Sequence, residues 1–208
     1  MGEKRFGSRL VLAAAIAIAI PLGGCSTYAV SRYAVSVENV TAMRKIGGHP
    51  INVGEFRAKG DEASSIGCRA VGPIKTPDGE PFSQYVRKAF ISELTLAEVY
   101  SPSAPVTITG TVDRVDFSST SGAWEIGLTV TSSNGKSIHT DEEYSFSSSF
   151  FGETACNQTA QAFMPGIQDL IGKIVHDPEF RGLVGADPVP TPKVTNADVK
   201  ASGGQRRH

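Results

Sequence analysis

A chain of 208 residues, 40% of them hydrophobic, is long enough for one domain with a substantial core. Its 20 Lys and Arg against 21 Asp and Glu leave a net charge of −1 with no block of like charge, which argues against a nucleic-acid-binding protein. Past the first 20 residues no apolar run approaches the roughly 20 residues a helix needs to cross a bilayer, and no internal repeat is present.

The first element in the chain is a leader. Lys4, Arg5 and Arg9 form a positive start, and Leu10 to Ile20 is an uninterrupted apolar run of eleven residues, too short to span a membrane. It ends in Leu22-Gly23-Gly24-Cys25, which resembles the bacterial lipobox in all four positions. Leu22 suits a hydrophobic subsite of the signal peptidase, Gly23 and Gly24 let the enzyme approach the backbone, and the Cys25 thiol takes up diacylglycerol. Two or three acyl chains on one residue give stable anchoring, since each buried methylene contributes about 0.8 kcal/mol. Ser26 follows; by resemblance to lipoprotein sorting in enteric-type bacteria, a residue other than Asp there implies the outer membrane. Cleavage before Cys25 removes three cations and one anion, leaving 17 Lys and Arg against 20 Asp and Glu, or −3. The expected organisation is a signal peptide at 1–24, a lipidated lead at 25–35, one domain at 36–184 and a disordered Pro-rich tail at 185–208.

Within the domain, Ser36 is placed to cap a short helix carrying Val37, Val40 and Met43, stopped by Gly47-Gly48. Ile51 to Phe56 reads as a strand, Arg57 to Ser65 as a loop, and Ile66 to Val71 as a second extended segment ended by Gly72-Pro73. From Pro81, the apolar residues Phe82, Tyr85, Val86, Ala89, Phe90, Leu94 and Ala97 recur at three- and four-residue spacing, the stripe of a helix lying on a sheet. Two alternating segments, Val106 to Phe117 and Trp124 to Val130, follow as strands. Asn134-Gly135 then signals a hairpin, with Ser137 to Phe150 as its return strand. The Asp141-Glu142-Glu143 run reads as a solvated edge. A last helix runs from about Cys156 to His176 on Ala160, Phe163, Ile167, Leu170, Ile171 and Ile174, with Pro165 expected to kink it or mark a late start. The sum is an α+β fold: a mainly antiparallel sheet with helices packed on one face.

With Cys25 acylated, Cys68 and Cys156 remain, and an even pair in an oxidising compartment is expected as a disulfide stapling the last helix to the sheet. Templates for catalysis are missing. The histidines His49, His139, His176 and His208 have no metal-ligand spacing, no Gly-x-Ser-x-Gly elbow occurs, and Gly47-Gly48 precedes a strand instead of following one. Asp113 and Asp116, three apart on a strand, are expected to point to opposite faces and to be surface charge. No catalytic residue, cofactor or metal is therefore expected.

The stretch from Val35 to Phe180 resembles a family of uncharacterised bacterial lipoproteins of the YajG type. The similarity is carried by Ile51-Asn52-Val53-Gly54-Glu55-Phe56, Arg69-Ala70-Val71-Gly72-Pro73, the helix through Tyr85 to Leu94 and Ile108-Thr109-Gly110-Thr111-Val112. The resemblance implies an outer-membrane lipoprotein with an α+β domain and transfers no catalytic residue. The expected function is a non-enzymatic accessory module, tethered by its lipid at the periplasmic face of the outer membrane, that binds an envelope protein through the outer sheet face, the sheet edge or the tail. The alternative is a carrier or sensor of a small envelope lipid or glycan held between sheet and helices near Trp124 and Phe90, and a hydrolase ranks third.

Overall fold

A computed structural model describes residues 27–46 and 50–185. The leader, the lipobox, Gly47-Gly48, His49 and the chain from 186 onward lie outside the described residues. The elements, in order, are β1 (Tyr28–Ala29), α1 (Val37–Ile46), β2 (Ile51–Ala58), β3 (Ser65–Cys68), β4 (Gly72–Lys75), α2 (Phe82–Leu96), β5 (Val106–Ser118), β6 (Ala123–Ser132), β7 (Ser137–Ser145), α3 (Gly152–His176) and α4 (Phe180–Val184).

The fold is the expected α+β arrangement, with its strands divided between two sheets. The larger has the order β2-β5-β6-β7, and the smaller has β1-β4-β3. In the larger sheet β5, β6 and β7 form the antiparallel meander, while β2 joins β5 in parallel, Ile51 beside Val106 and Val53 beside Ile108. Parallel pairing needs a crossover, and the β3–β4 hairpin with α2 supplies it. Inward positions of the sheet are apolar: Val53, Phe56, Ile108, Val112, Trp124, Ile126, Leu128 and Val130 are all buried beneath α2 and α3. Trp124 sits among Phe117, Phe163 and Phe82, at ring centroid distances of 4.8, 4.8 and 6.4 Å, and its Nε1 donates to the Thr159 carbonyl at 2.8 Å. Gly110 faces Phe56 across the β2–β5 pair, and a Cβ there would meet the Phe56 ring at 2.5 Å.

Several elements depart from the sequence expectations for identifiable reasons. The extended segment at 66–71 is in fact the end of β3 and a three-residue turn. In that turn Arg69 and Ala70 hold φ of 43° and 54°, and Val71 N–H donates to the Cys68 carbonyl. The return strand stops at Ser145, not Phe150, because Phe146 N–H closes the ladder on the Gly122 carbonyl and Ser147 to Phe151 leave the sheet. α3 begins at Gly152, a turn before its apolar stripe, and Pro165 lies inside an unbroken helix.

The lead segment is also part of the fold. β1 pairs with β4, Val30 is buried, Tyr85 Oη donates to the Ser31 carbonyl, and Arg32 makes a two-pronged ion pair with Asp78 at 2.7 and 2.9 Å. Tyr33 Oη and the Ser36 N–H both donate to Oε1 of the fully buried Glu93, at 2.6 and 2.8 Å. Burial, and next the Glu93 carboxylate, push the Tyr33 phenol far above its ordinary range.

Candidate interaction face and sheet edge

Because both long helices cover one side of the sheet, alternation turns the other side to solvent. Thr107, Thr109 and Thr111 on β5 project there, with Thr129 and Thr131 on β6. The register lines them up in cross-strand rows: Thr109 with Thr131 and Ser137, and Arg57 with Thr111, Thr129 and His139. Next to these rows the register of β5 slips between Val112 and Arg114. This bulge adds one residue, so Asp113 and Asp116 share the solvent face, contrary to the opposite faces that simple alternation gives. Asp116 stays surface charge beside Arg114, which pairs with Glu125.

Asp113 belongs to a small polar cluster. The Thr129 hydroxyl donates to Asp113 Oδ2 at 2.6 Å and stands 3.0 Å from His139 Nδ1, while His139 Nε2 is 3.1 Å from Asp141 Oδ2. Gly127 lies beneath, where a Cβ would press on Asp141 Oδ1 at 3.0 Å. The hydroxyl, imidazole and carboxylate are the parts of a nucleophilic relay, but the Thr129 proton is held by Asp113 and not by the imidazole. Among the described residues no group of three or more His, Cys, Asp or Glu is arranged to hold a metal. His176 lies apart from His139, its Nδ1 on its own helix at the Gly172 carbonyl.

The two ends of the larger sheet differ. At the β2 end, side chains of α2 occupy the outward carbonyls: Gln84 Nε2 donates to Phe56 O at 2.9 Å, and Arg87 donates to Gly54 O and, at 3.0 Å, to Val53 O. At the β7 end, the bonds from Phe146 N–H to Gly122 and from Ser132 N–H to Lys136 fix the register. The even-numbered residues of β7 therefore bond β6, and the backbone groups of Ser137, His139, Asp141, Glu143 and Ser145 point outward. Among the described residues, only the Asp141 carbonyl of these is taken, by Lys173 Nζ at 3.0 Å. The acidic run expected to be solvated is split by the same alternation: Glu142 turns inward, 5% exposed, and pairs with Lys173 at 2.9 Å, while Asp141 and Glu143 stay at the surface.

Of the residues singled out from sequence, Leu22, Gly23, Gly24 and Cys25 lie outside the described residues. Cys68 and Cys156 are joined, with Cα atoms 5.9 Å apart and both buried, so the end of β3 is tied to the first turns of α3. Trp124 and Phe90 are packed solid among neighbouring rings. Two surfaces carried no sequence signal. One is an open groove of about 890 Å³ between α1 and the α3–α4 corner, with Val37, Ala42, Ile46 and Phe180 in its lining and Val37 79% exposed. The other is the pair Phe150 and Phe151, 94% and 74% exposed. No protein-family model and no curated protein matches this chain.

Proposed function

We propose that this protein is a lipid-anchored envelope lipoprotein, held by Cys25 at the periplasmic face of the outer membrane, that acts without catalysis by docking a partner protein on the free edge of β7. The observation that carries this reading is the contrast between the two sheet ends: α2 side chains close β2, whereas β7 presents a row of outward backbone groups that, apart from the Asp141 carbonyl, have no partner among the described residues. An extended segment added there gains main-chain hydrogen bonds, and alternate side chains read the strand face. His139, Asp141 and Glu143 are the outward residues, so a segment carrying Lys or Arg at alternate positions fits best. Support for the anchor comes from the complete lipobox, and the Cys68–Cys156 bond suits an oxidising compartment. No helix among the described residues is long and apolar enough to cross a membrane.

The test is photo-crosslinking in intact cells from a probe residue placed at Glu143, against the same probe at Arg57 on the closed strand. A defined adduct from position 143 and none from 57 is expected. With the probe kept at position 143, Ser145→Pro, which removes only the neighbouring outward N–H, should abolish the adduct while leaving the fold intact. Recovery of monomer alone from both positions would refute the proposal.

A further inference from the structure

Phe150 and Phe151 are the most exposed aromatic residues of the described chain, and they follow each other in a loop held from outside. Arg69 donates from Nη1 to the carbonyls of Ser149 and Phe150 at 3.0 and 3.1 Å, from Nε to Ser119 Oγ at 3.0 Å, and from Nη2 to the Ser119 carbonyl. Ser148 Oγ also donates to the Ser119 carbonyl. Two large apolar side chains kept in water by a braced loop are unfavourable unless something covers them.

The path of the chain says what lies nearby. β1 runs parallel to β4, Tyr28 beside Ile74 and Ala29 beside Lys75, so the chain enters β1 from the Gly72 side. That side is the Cys68–Gly72 turn, whose Arg69 braces the Phe150 loop and whose Val71 packs beside Gly152. Cys25 is three residues before Tyr28, within about 11 Å of chain. The surroundings fit the same partner. From Phe117 to Trp124 and from Tyr144 to Gly152 there is no charged residue, only Ser, Thr, Gly, Ala and aromatic side chains. Phe146 N–H on the Gly122 carbonyl brings these two stretches together at one end of the sheet.

We infer that Phe150 and Phe151 are a membrane-seating wedge: the pair enters the lipid interface beside the acylated Cys25 and fixes how the domain stands on the bilayer. Two points of attachment, the acyl chains and the wedge, suppress rotation about the tether and turn the Ser137 end of β7 away from the lipid. The inference rests on the anchor reading of Cys25.

The acylated full-length mature protein is reconstituted in vesicles of phosphatidylethanolamine and phosphatidylglycerol doped with acyl-brominated phosphatidylcholine. Intact mass confirms the acyl chains. Phe151→Trp and Ser137→Trp are compared, the second at the far end of β7, about 26 Å along the strand from Ser145, with the buried native Trp124 as a common background. Both sites are at the surface, where substitution leaves the fold intact. The expected result is a blue shift and bromine quenching at position 151 and neither at 137. Acyl mass present with position 151 unquenched overturns the wedge and leaves the anchor standing; absence of acyl mass overturns both. A blue shift that follows protein concentration without vesicles assigns the pair to a second copy of the chain and also overturns the wedge.

Discussion

Replacing Cys68 and Cys156 together by Ala removes a cross-link that spans 88 residues of sequence. In the chain-entropy treatment, closing a loop of that length in the unfolded chain is worth about 4.6 kcal/mol at 25 °C. Both sulfurs are buried, so losing them adds a small packing loss in the same direction. For a domain of this size each kcal/mol moves the midpoint by about 2–4 °C, so the double variant should melt about 9–18 °C below the parent. The measurement is thermal unfolding followed by far-UV circular dichroism, on parent and variant, each with and without reductant. Reductant should lower the parent towards the variant and leave the variant unmoved. Hydrogen exchange gives a local check: amides of β1, β3 and β4 should lose protection before those of β5 and β6, since the bond ties the small sheet to α3. A double variant melting within about 3 °C of the parent would contradict the loop-entropy reasoning outright.

Tyr33→Phe deletes a donor to a buried carboxylate and should destabilise by about 1.5–3 kcal/mol in urea titration. Burial raises the phenols of both Tyr33 and Tyr85, seconded by Glu93 and Glu80, so stability from these groups is intact below the ordinary tyrosine range and falls as pH climbs above about 10. Phenolate absorbance should therefore show Tyr33 and Tyr85 ionising only as the fold opens; their reversible ionisation near pH 10 in folded protein would rule this out. Gly110→Ala drives a methyl into the Phe56 ring and should cost about 1–3 kcal/mol, measured as a lower denaturant midpoint. Arg87→Ala uncovers two carbonyls of β2 and should produce concentration-dependent association by light scattering, which Glu55→Ala, on the same strand but solvent-facing, should not.

Where local chemistry decides structure, the sequence was readable. The Phe82 to Leu94 stripe, the alternation through Trp124 and Asn134-Gly135, where Gly135 takes φ of 89°, all point to the elements found. The Cys68–Cys156 pairing followed from counting cysteines. What could not be read depends on distant partners. The Cys68–Gly72 turn has neither Gly nor Asn at its positive-φ positions, and left-handed Arg69 and Ala70 are unfavourable by about 1–2 kcal/mol each on local grounds. The bonds from Arg69 to Ser119, Ser149 and Phe150, 50 to 81 residues away, offset that cost. The bulge that moves Asp116 to the solvent face, and the burial of Glu142 against Lys173 in α3, likewise depend on pairings absent from any short window. The parallel start of the sheet was hidden by the hairpin inserted in its crossover.

A sheet with one sealed margin has a definite capacity for growth. Since α2 caps the β2 side, strands are added at the β7 side once, and an added segment that is itself short or charged leaves nothing for another to extend. Should two copies meet through their open margins, the result is a closed twofold pair with a sealed rim at each outer limit. In either case assembly stops at two components, and stacking into fibres is blocked by Gln84 and Arg87 together with the Val99–Ser101 backbone bonded to Ile51.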